Sequence, residues 1–154
     1  MLTEQEIHDI NLELAHCVTK QSVSVDALNI IQRSRGWVSD EAVEDVARIL
    51  EMAPEELDAV ATFYSFIFRR PVGKHVILIC DSISCWVMGH NPLLTMLKSE
   101  LGITFGETTD DKQFTLLPIS CLGACDRAPA MMIDDDLYGP VTPEMLEVVL
   151  EIYK

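Results

Sequence analysis

Four of the chain's five cysteines fall into two close pairs, Cys80-x4-Cys85 and Cys121-x3-Cys125, with 35 residues between the pairs. A thiolate is a soft ligand, and two spaced pairs can bring four of them around one centre. In a reducing compartment such a donor set means an iron–sulfur cluster or a structural zinc. Structural zinc favours short knuckles in small folds that need the metal to hold together. The x4 and x3 spacings are wider than the common x2 knuckle, and the surrounding segment has strands and a helix of its own. Wider loops suit a two-iron centre in which each cysteine pair takes its own iron. A thioredoxin-type dithiol needs Cys-x-x-Cys at a helix start, which the chain lacks. Zinc and unmetallated thiols stay open as alternatives on spacing alone.

Neighbouring residues can be weighed the same way. Gly123, between two candidate ligands, lets the loop backbone approach closely and aim N–H groups at sulfur. Trp86, next to Cys85, can shield a centre from water or simply pack in the core. Met131-Met132 reads as core filling, and Cys17 as a buried structural thiol on an apolar helix face. His75 and His90 could ligate in the Rieske manner, but four cysteines already complete a site, so both read as ordinary polar residues.

The elements that must position these residues change character near residue 70. Before it the chain reads as short helices. Thr3-x-x-Glu6 is a capping box, and Ile7, Ile10, Leu14 and Cys17 recur at helical spacing. Ser24 is expected to cap a second helix closed by Gly36, Ser39 a third, and Pro54 to sit in the first turn of a fourth. After the breaker Arg69-Arg70-Pro71-Val72-Gly73, His75–Cys80 is a buried-strand run. A helix carrying Leu93, Leu94, Leu97 and Leu101 follows, then strands at Phe114–Ile119, Ala130–Ile133 and Leu137–Tyr138, and a last helix from Thr142-Pro143. The expected organisation is α+β: a helical bundle over 1–73, then a domain with a small sheet over 74–154. Both cysteine pairs leave strand ends, with Cys85 expected in the loop after the first strand. If the two strands are neighbours, one four-cysteine site forms at one edge of the sheet.

Composition narrows the partners. An apolar content of 49% supports a real core. No run of 18 apolar residues exists and the start of the chain is polar, so neither a membrane span nor a signal peptide is expected, and the location should be cytoplasmic. The net charge of −14 is shared evenly: 6 basic and 13 acidic side chains over residues 1–73, 5 and 12 over 74–154. With no basic stripe to follow phosphates, nucleic acid is not an expected partner. An acidic surface serves solubility, or fits a basic patch on a partner protein.

Several stretches carry a family resemblance: Arg35-Gly36-Trp37-Val38, Val60-Ala61-Thr62-Phe63-Tyr64, Pro71-Val72-Gly73, Cys80-Asp81-Ser82, Cys121-Leu122-Gly123-Ala124-Cys125 and Thr142-Pro143-Glu144. From about Leu28 to Tyr153 the chain resembles the small [2Fe–2S] component of the NADH-oxidising module of bacterial respiratory complex I, a thioredoxin-like ferredoxin. The resemblance implies an N-terminal helical bundle and a thioredoxin-like [2Fe–2S] ferredoxin domain, with Cys80, Cys85, Cys121 and Cys125 as the ligands. It implies no catalysis by the chain alone. FMN and the NADH site belong to a larger partner flavoprotein, from which single electrons arrive. Other peripheral-arm subunits complete a complex at the cytoplasmic face of the inner membrane, with no insertion of this chain. The same module serves NAD-linked hydrogenases and formate dehydrogenases, so an equivalent component of those is the alternative, and a zinc-stapled module a further one. The fold analogy also predicts a cis peptide before Pro129, at the start of the Ala130–Ile133 strand.

Overall fold

The structure is a computed structural model that describes all residues, Met1–Lys154. Two compact units divide between Pro71 and Val72.

The first unit holds four helices whose ends are written locally. Helix α1 (Glu4–Leu14) begins at Thr3, whose Oγ1 accepts the Glu6 N–H at 3.2 Å while the Glu6 carboxylate accepts the Thr3 N–H at 2.7 Å. This satisfies two N–H groups that a helix start otherwise leaves bare. A 3-10 turn at Lys20–Val23, absent from the sequence expectation, leads into α2 (Ser24–Arg35). Ser24 is not a cap. It is the first helical residue, buried, and its hydroxyl donates to Gln21 O at 2.6 Å. Gly36 closes α2 at φ +82°, where a side chain is strained. Ser39 caps α3 (Asp40–Leu50), and Pro54 opens α4 (Pro54–Phe63). At α4 only half a capping box exists: the Glu56 carboxylate accepts the Ala53 N–H at 3.1 Å, and alanine has nothing to return.

Ile10, Leu28, Ile31, Val46, Leu50 and Leu57 fill the core of this unit, fully buried. Beside it Arg35 grips the buried Glu6 through two bonds of 2.7 and 2.6 Å, tying α2 to α1. Arg69 likewise joins the Val38 carbonyl to the carboxylates of Asp40 and Asp58. Cys17 lies past the end of α1 and is exposed, not buried: the helix stops at Leu14, so the apolar register loses its face.

The second unit is built on a four-stranded sheet ordered β2-β1-β3-β4, with β1 (His75–Cys80), β2 (Phe114–Ile119), β3 (Met131–Ile133) and β4 (Asp136–Tyr138). β1 and β2 run parallel in register from His75↔Phe114 to Cys80↔Ile119, whereas β3 and β4 are antiparallel to their neighbours. An interior strand needs no polar face, and five of the six residues of β1 are buried. Helices α5 (Ile83–Met88) and α6 (His90–Leu101) connect β1 to β2, and α7 (Pro143–Ile152) ends the fold. Leu93 and Leu97 of α6 and Leu146 and Val149 of α7 pack with Ile77, Ile79, Phe114, Leu116 and Met131 of the sheet into one core.

Candidate metal centre

Parallel pairing of β1 with β2 decides where the cysteines go. Cys80 stands opposite Ile119 at the last rung, so both loops that follow leave the sheet at the same edge. The Asp81 N–H donates to Ile119 O at 2.8 Å and holds the two loop starts together. Cys80 and Cys85 form a buried pair, packed with the small side chains of Ala124, Ala128 and Ala130. Cys121 and Cys125 are exposed, the latter opening a 3-10 turn at Cys125–Arg127. Cys85 is helical, on α5, and not in a loop as its sequence neighbourhood suggested.

All four thiols are free and feel one another. Burial pushes the Cys85 thiol up, the Ala130 backbone N–H works against that, and Cys80 and Cys125 raise it further. Cys121 moves the other way: first through the Gly123 N–H, which donates to its sulfur at 3.3 Å, and then through Ser82, Cys125 and Cys80, against some desolvation. Gly123 sits at φ +73°, and a Cβ there would meet nothing within 4 Å. Its requirement is conformational, set by the turn that aims the N–H. Gly139 is the opposite case. A Cβ there would lie 2.3 Å from Arg127 O, so only glycine lets the β4–α7 connection press against the Cys125 turn.

No three of the chain's His, Cys, Asp and Glu side chains close around a point suited to one metal ion. The donor chemistry nonetheless fits an iron–sulfur centre: four free thiols carried by the end of β1, by α5 and by the segment after β2, none in a disulfide, with a backbone N–H directed at sulfur.

Other sequence-marked residues are distributed around this edge. Trp86 is 56% exposed on α5, so it is not core packing. Ile83, Val87 and Met88 are exposed on the same short helix. Met131 is buried and Met132 half-buried, as filling requires. His75 starts β1, at the far end of the strand from Cys80, and its Nδ1 bonds Asp134 at 2.7 Å. His90, read from the sequence as an ordinary polar residue, is buried, with Nδ1 3.0 Å from Cys80 O. No motif marks it, since only the tertiary path brings the start of α6 under the end of β1. The Ala128–Pro129 peptide is cis, and so is Gly139–Pro140.

Known proteins resemble the chain in sequence and in fold. The family model described as thioredoxin-like [2Fe-2S] ferredoxin matches residues 10–154, more of the chain than the quoted motifs span. The E-type subunit of NADH-quinone oxidoreductase from Pseudomonas aeruginosa is 45% identical over 153 residues, covering 99% of this chain and 92% of that protein. Its namesake from Escherichia coli K12 is 44% identical with the same coverage. Among solved structures, the crystal structure of an NAD+-reducing [NiFe]-hydrogenase in the air-oxidized state superposes with a TM-score of 0.72 over 85% of this chain, at 23% identity. This chain spans only 22% of that one, and the likeness speaks for the fold alone. With a matching family model over nearly its whole length and relatives at 45% identity, the chain belongs to the thioredoxin-like [2Fe-2S] ferredoxin family.

Proposed function

We propose that this chain is the electron-transfer component of the NADH dehydrogenase module of a bacterial NADH-quinone oxidoreductase. It would hold one [2Fe–2S] cluster on Cys80, Cys85, Cys121 and Cys125. One observation carries the reading: two cysteine pairs, far apart in sequence, leave the same edge of the sheet from adjacent parallel strands. Identity of 45% across 99% of the chain to the Pseudomonas aeruginosa protein supports the assembly. When bound, such a cluster takes up and returns one electron at a time.

The chain's own residues anchor and tune. Cys80 and Cys85 hold from the buried side, where Ala124, Ala128 and Ala130 keep water away. Cys121 and Cys125 hold from the outer side, facing solvent or a partner. The Gly123 N–H on the Cys121 sulfur favours the thiolate that metal binding requires and the extra negative charge of a reduced centre. No Gly-x-Gly-x-x-Gly stretch exists for a dinucleotide. The family resemblance supplies the rest of the reading: single electrons come from FMN in a partner flavoprotein that also binds NADH, with other peripheral subunits alongside. The helical region 1–73 and the cluster-side loops of region 74–154 serve docking. No helix is long and apolar enough to cross a membrane, in keeping with a place on the cytoplasmic face of the complex.

The test is spectroscopic. The purified chain should show the visible absorption of a [2Fe–2S] centre and bleach with one electron per chain from dithionite. NADH should bleach it only after the FMN-bearing, NADH-binding flavoprotein of the complex is added. Stoichiometric zinc without iron, or bleaching by NADH without flavoprotein, would sink the reading.

A further inference from the structure

We propose that His90 is a positioning residue for the cluster, fixing its first ligand, Cys80, through the main-chain carbonyl. The proposal rests on the four-cysteine reading above.

His90 opens α6 and is 4% exposed, beneath the end of β1. Its Nδ1 lies 3.0 Å from Cys80 O. A carbonyl oxygen only accepts, so Nδ1 carries the hydrogen and donates. The other ring nitrogen is 3.7 Å from Asp81 Oδ1, beyond hydrogen-bond range.

The peptide unit between Cys80 and Asp81 is therefore held at both polar atoms. His90 takes its oxygen, and Ile119 O accepts its N–H at 2.8 Å. With the Cys80 N–H also bonded to Ala130 O at 3.1 Å, the backbone on both sides of this ligand cannot swivel. The direction of its Cα–Cβ bond follows, and only the χ1 rotor is left to place Sγ.

The same contact reaches the second ligand. Residues 81–89 run from Cys80 through α5, which carries Cys85, to Gly89 at φ +124°, directly before His90. The His90–Cys80 bond ties the end of that segment to its beginning, closing the inner loop around the buried pair. Packing alone would be served by an apolar side chain of similar size. A polar ring buried here and spent on a ligand's carbonyl is a means of placement.

Three variants separate donor from bulk. Asn places its amide N–H near the position of Nδ1, Gln places it near Nε2, and Leu fills volume without a donor. Each is made in the full chain and loaded with cluster. Midpoint potential at one fixed pH, visible circular dichroism and the rate of cluster loss to a chelator are then measured.

His90→Asn should match the unaltered protein in all three. His90→Leu and His90→Gln should show a more negative potential, a changed dichroism spectrum and at least severalfold faster cluster loss. If His90→Leu does not fold, the Asn-against-Gln contrast decides alone. Equal behaviour of Asn and Gln, whether both unaltered or both impaired, overturns the proposal and leaves His90 a packing residue. Protein that carries zinc or takes up no iron in every version, the unaltered chain included, overturns instead the function proposed above.

Discussion

The helical unit and the sheet unit solve different problems with the same residue types. In the first, glycine ends a helix: Gly36 closes α2 with open space where a side chain would go. In the second, Gly139 is there because Arg127 O leaves no space at all. In the first, charge is stored in the bidentate Arg35–Glu6 pair. In the second, the thiols of Cys80 and Cys85 and the ring of His90 are the buried polar groups around the cysteine edge. The helix ends of the first unit are local agreements between neighbours in sequence, whereas the cysteine edge of the second is a meeting between residues far apart. Damage to one should cost stability in measured steps, and damage to the other should cost the cofactor outright.

The largest effect expected lies in the sheet unit. Replacing any of Cys80, Cys85, Cys121 or Cys125 with Ser should abolish or severely destabilise the cluster, since a hydroxyl is a harder and poorer ligand for iron. Cys17→Ser, at the exposed position past α1, should leave the visible spectrum unchanged. Within the four, denaturant unfolding of the metal-free chain should discriminate. Ser at the buried Cys80 or Cys85 should cost about 1–3 kcal/mol, for taking a more strongly hydrated hydroxyl out of water than the thiol it replaces. At exposed Cys121 or Cys125 the change should stay within about 0.5 kcal/mol. A reversed order would break the inner and outer assignment.

The helical unit supplies the next. Arg35 holds the Glu6 carboxyl at about 2, down from 4.5, against the desolvation that opposes it. A depressed acid stabilises the fold fully above its unfolded value and loses that contribution as pH falls through its folded one. Glu6 is 2% exposed but its partner Arg35 is 29% exposed, so solvent screens part of the shift and about 3 kcal/mol is its ceiling. Glu6→Gln should lower stability by about 1–3 kcal/mol at pH 7, by urea unfolding. The difference from the unaltered chain should shrink between pH 4.5 and 2, the interval of the shift. A difference that ignores pH would mean that packing, not charge, ties α1 to α2.

These contrasts also explain what the sequence disclosed. The starts at Thr3, Ser39, Pro54 and Thr142 and the stop at Gly36 were legible because each cap is a contact within four residues. The four-cysteine edge was legible because strand runs are strong patterns and cysteine pairs are rare. Helix α5 was not. Its Ile83, Trp86, Val87 and Met88 read as an apolar run, yet all are exposed, so no amphipathic period announces a helix. Ser24 has a cap's chemistry but is inside the helix, because the 3-10 turn before it moves the start. Cys17 kept the apolar register of α1 one turn past the point where the helix ends. His90 and Gly139 depend on partners 10 and 12 residues away across a fold, Cys80 and Arg127, and no local pattern records such meetings.

Gly139→Ala sharpens the comparison at its sterically tightest point. A Cβ 2.3 Å from a backbone oxygen cannot be relieved by turning a side chain. Either the Cys125 turn or the β4–α7 connection must shift, for about 1–3 kcal/mol by chemical unfolding. Because Arg127 lies two residues past Cys125, the same variant should shorten cluster lifetime in chelator. Gly36→Ala, in open space, should cost only the left-handed backbone, about 1 kcal/mol, and leave the cluster untouched.

At the cluster the smallest effect is expected from Gly123, and it isolates electrostatics from sterics. The Gly123 N–H lowers the Cys121 thiol below its usual range, while open space around the glycine removes any steric objection to a methyl group. Only the φ of +73° resists one, at roughly 1–2 kcal/mol for an L residue. The turn should relax toward an ordinary conformation and swing its N–H off the sulfur. In metal-free protein, Cys121 of Gly123→Ala should then titrate higher, so its alkylation by iodoacetamide near neutral pH should slow. The midpoint of the alkylation–pH curve should move up, because the thiolate has lost its main donor. In the loaded protein the same change should make reduction harder, since the lost N–H favoured the added negative charge. Cys85 provides the control within the molecule: its thiol is raised chiefly by burial, so its curve should stay in place. A Cys121 curve unmoved in Gly123→Ala would show that the loop holds its geometry without glycine, and that the outer pair is placed by its neighbouring thiols instead.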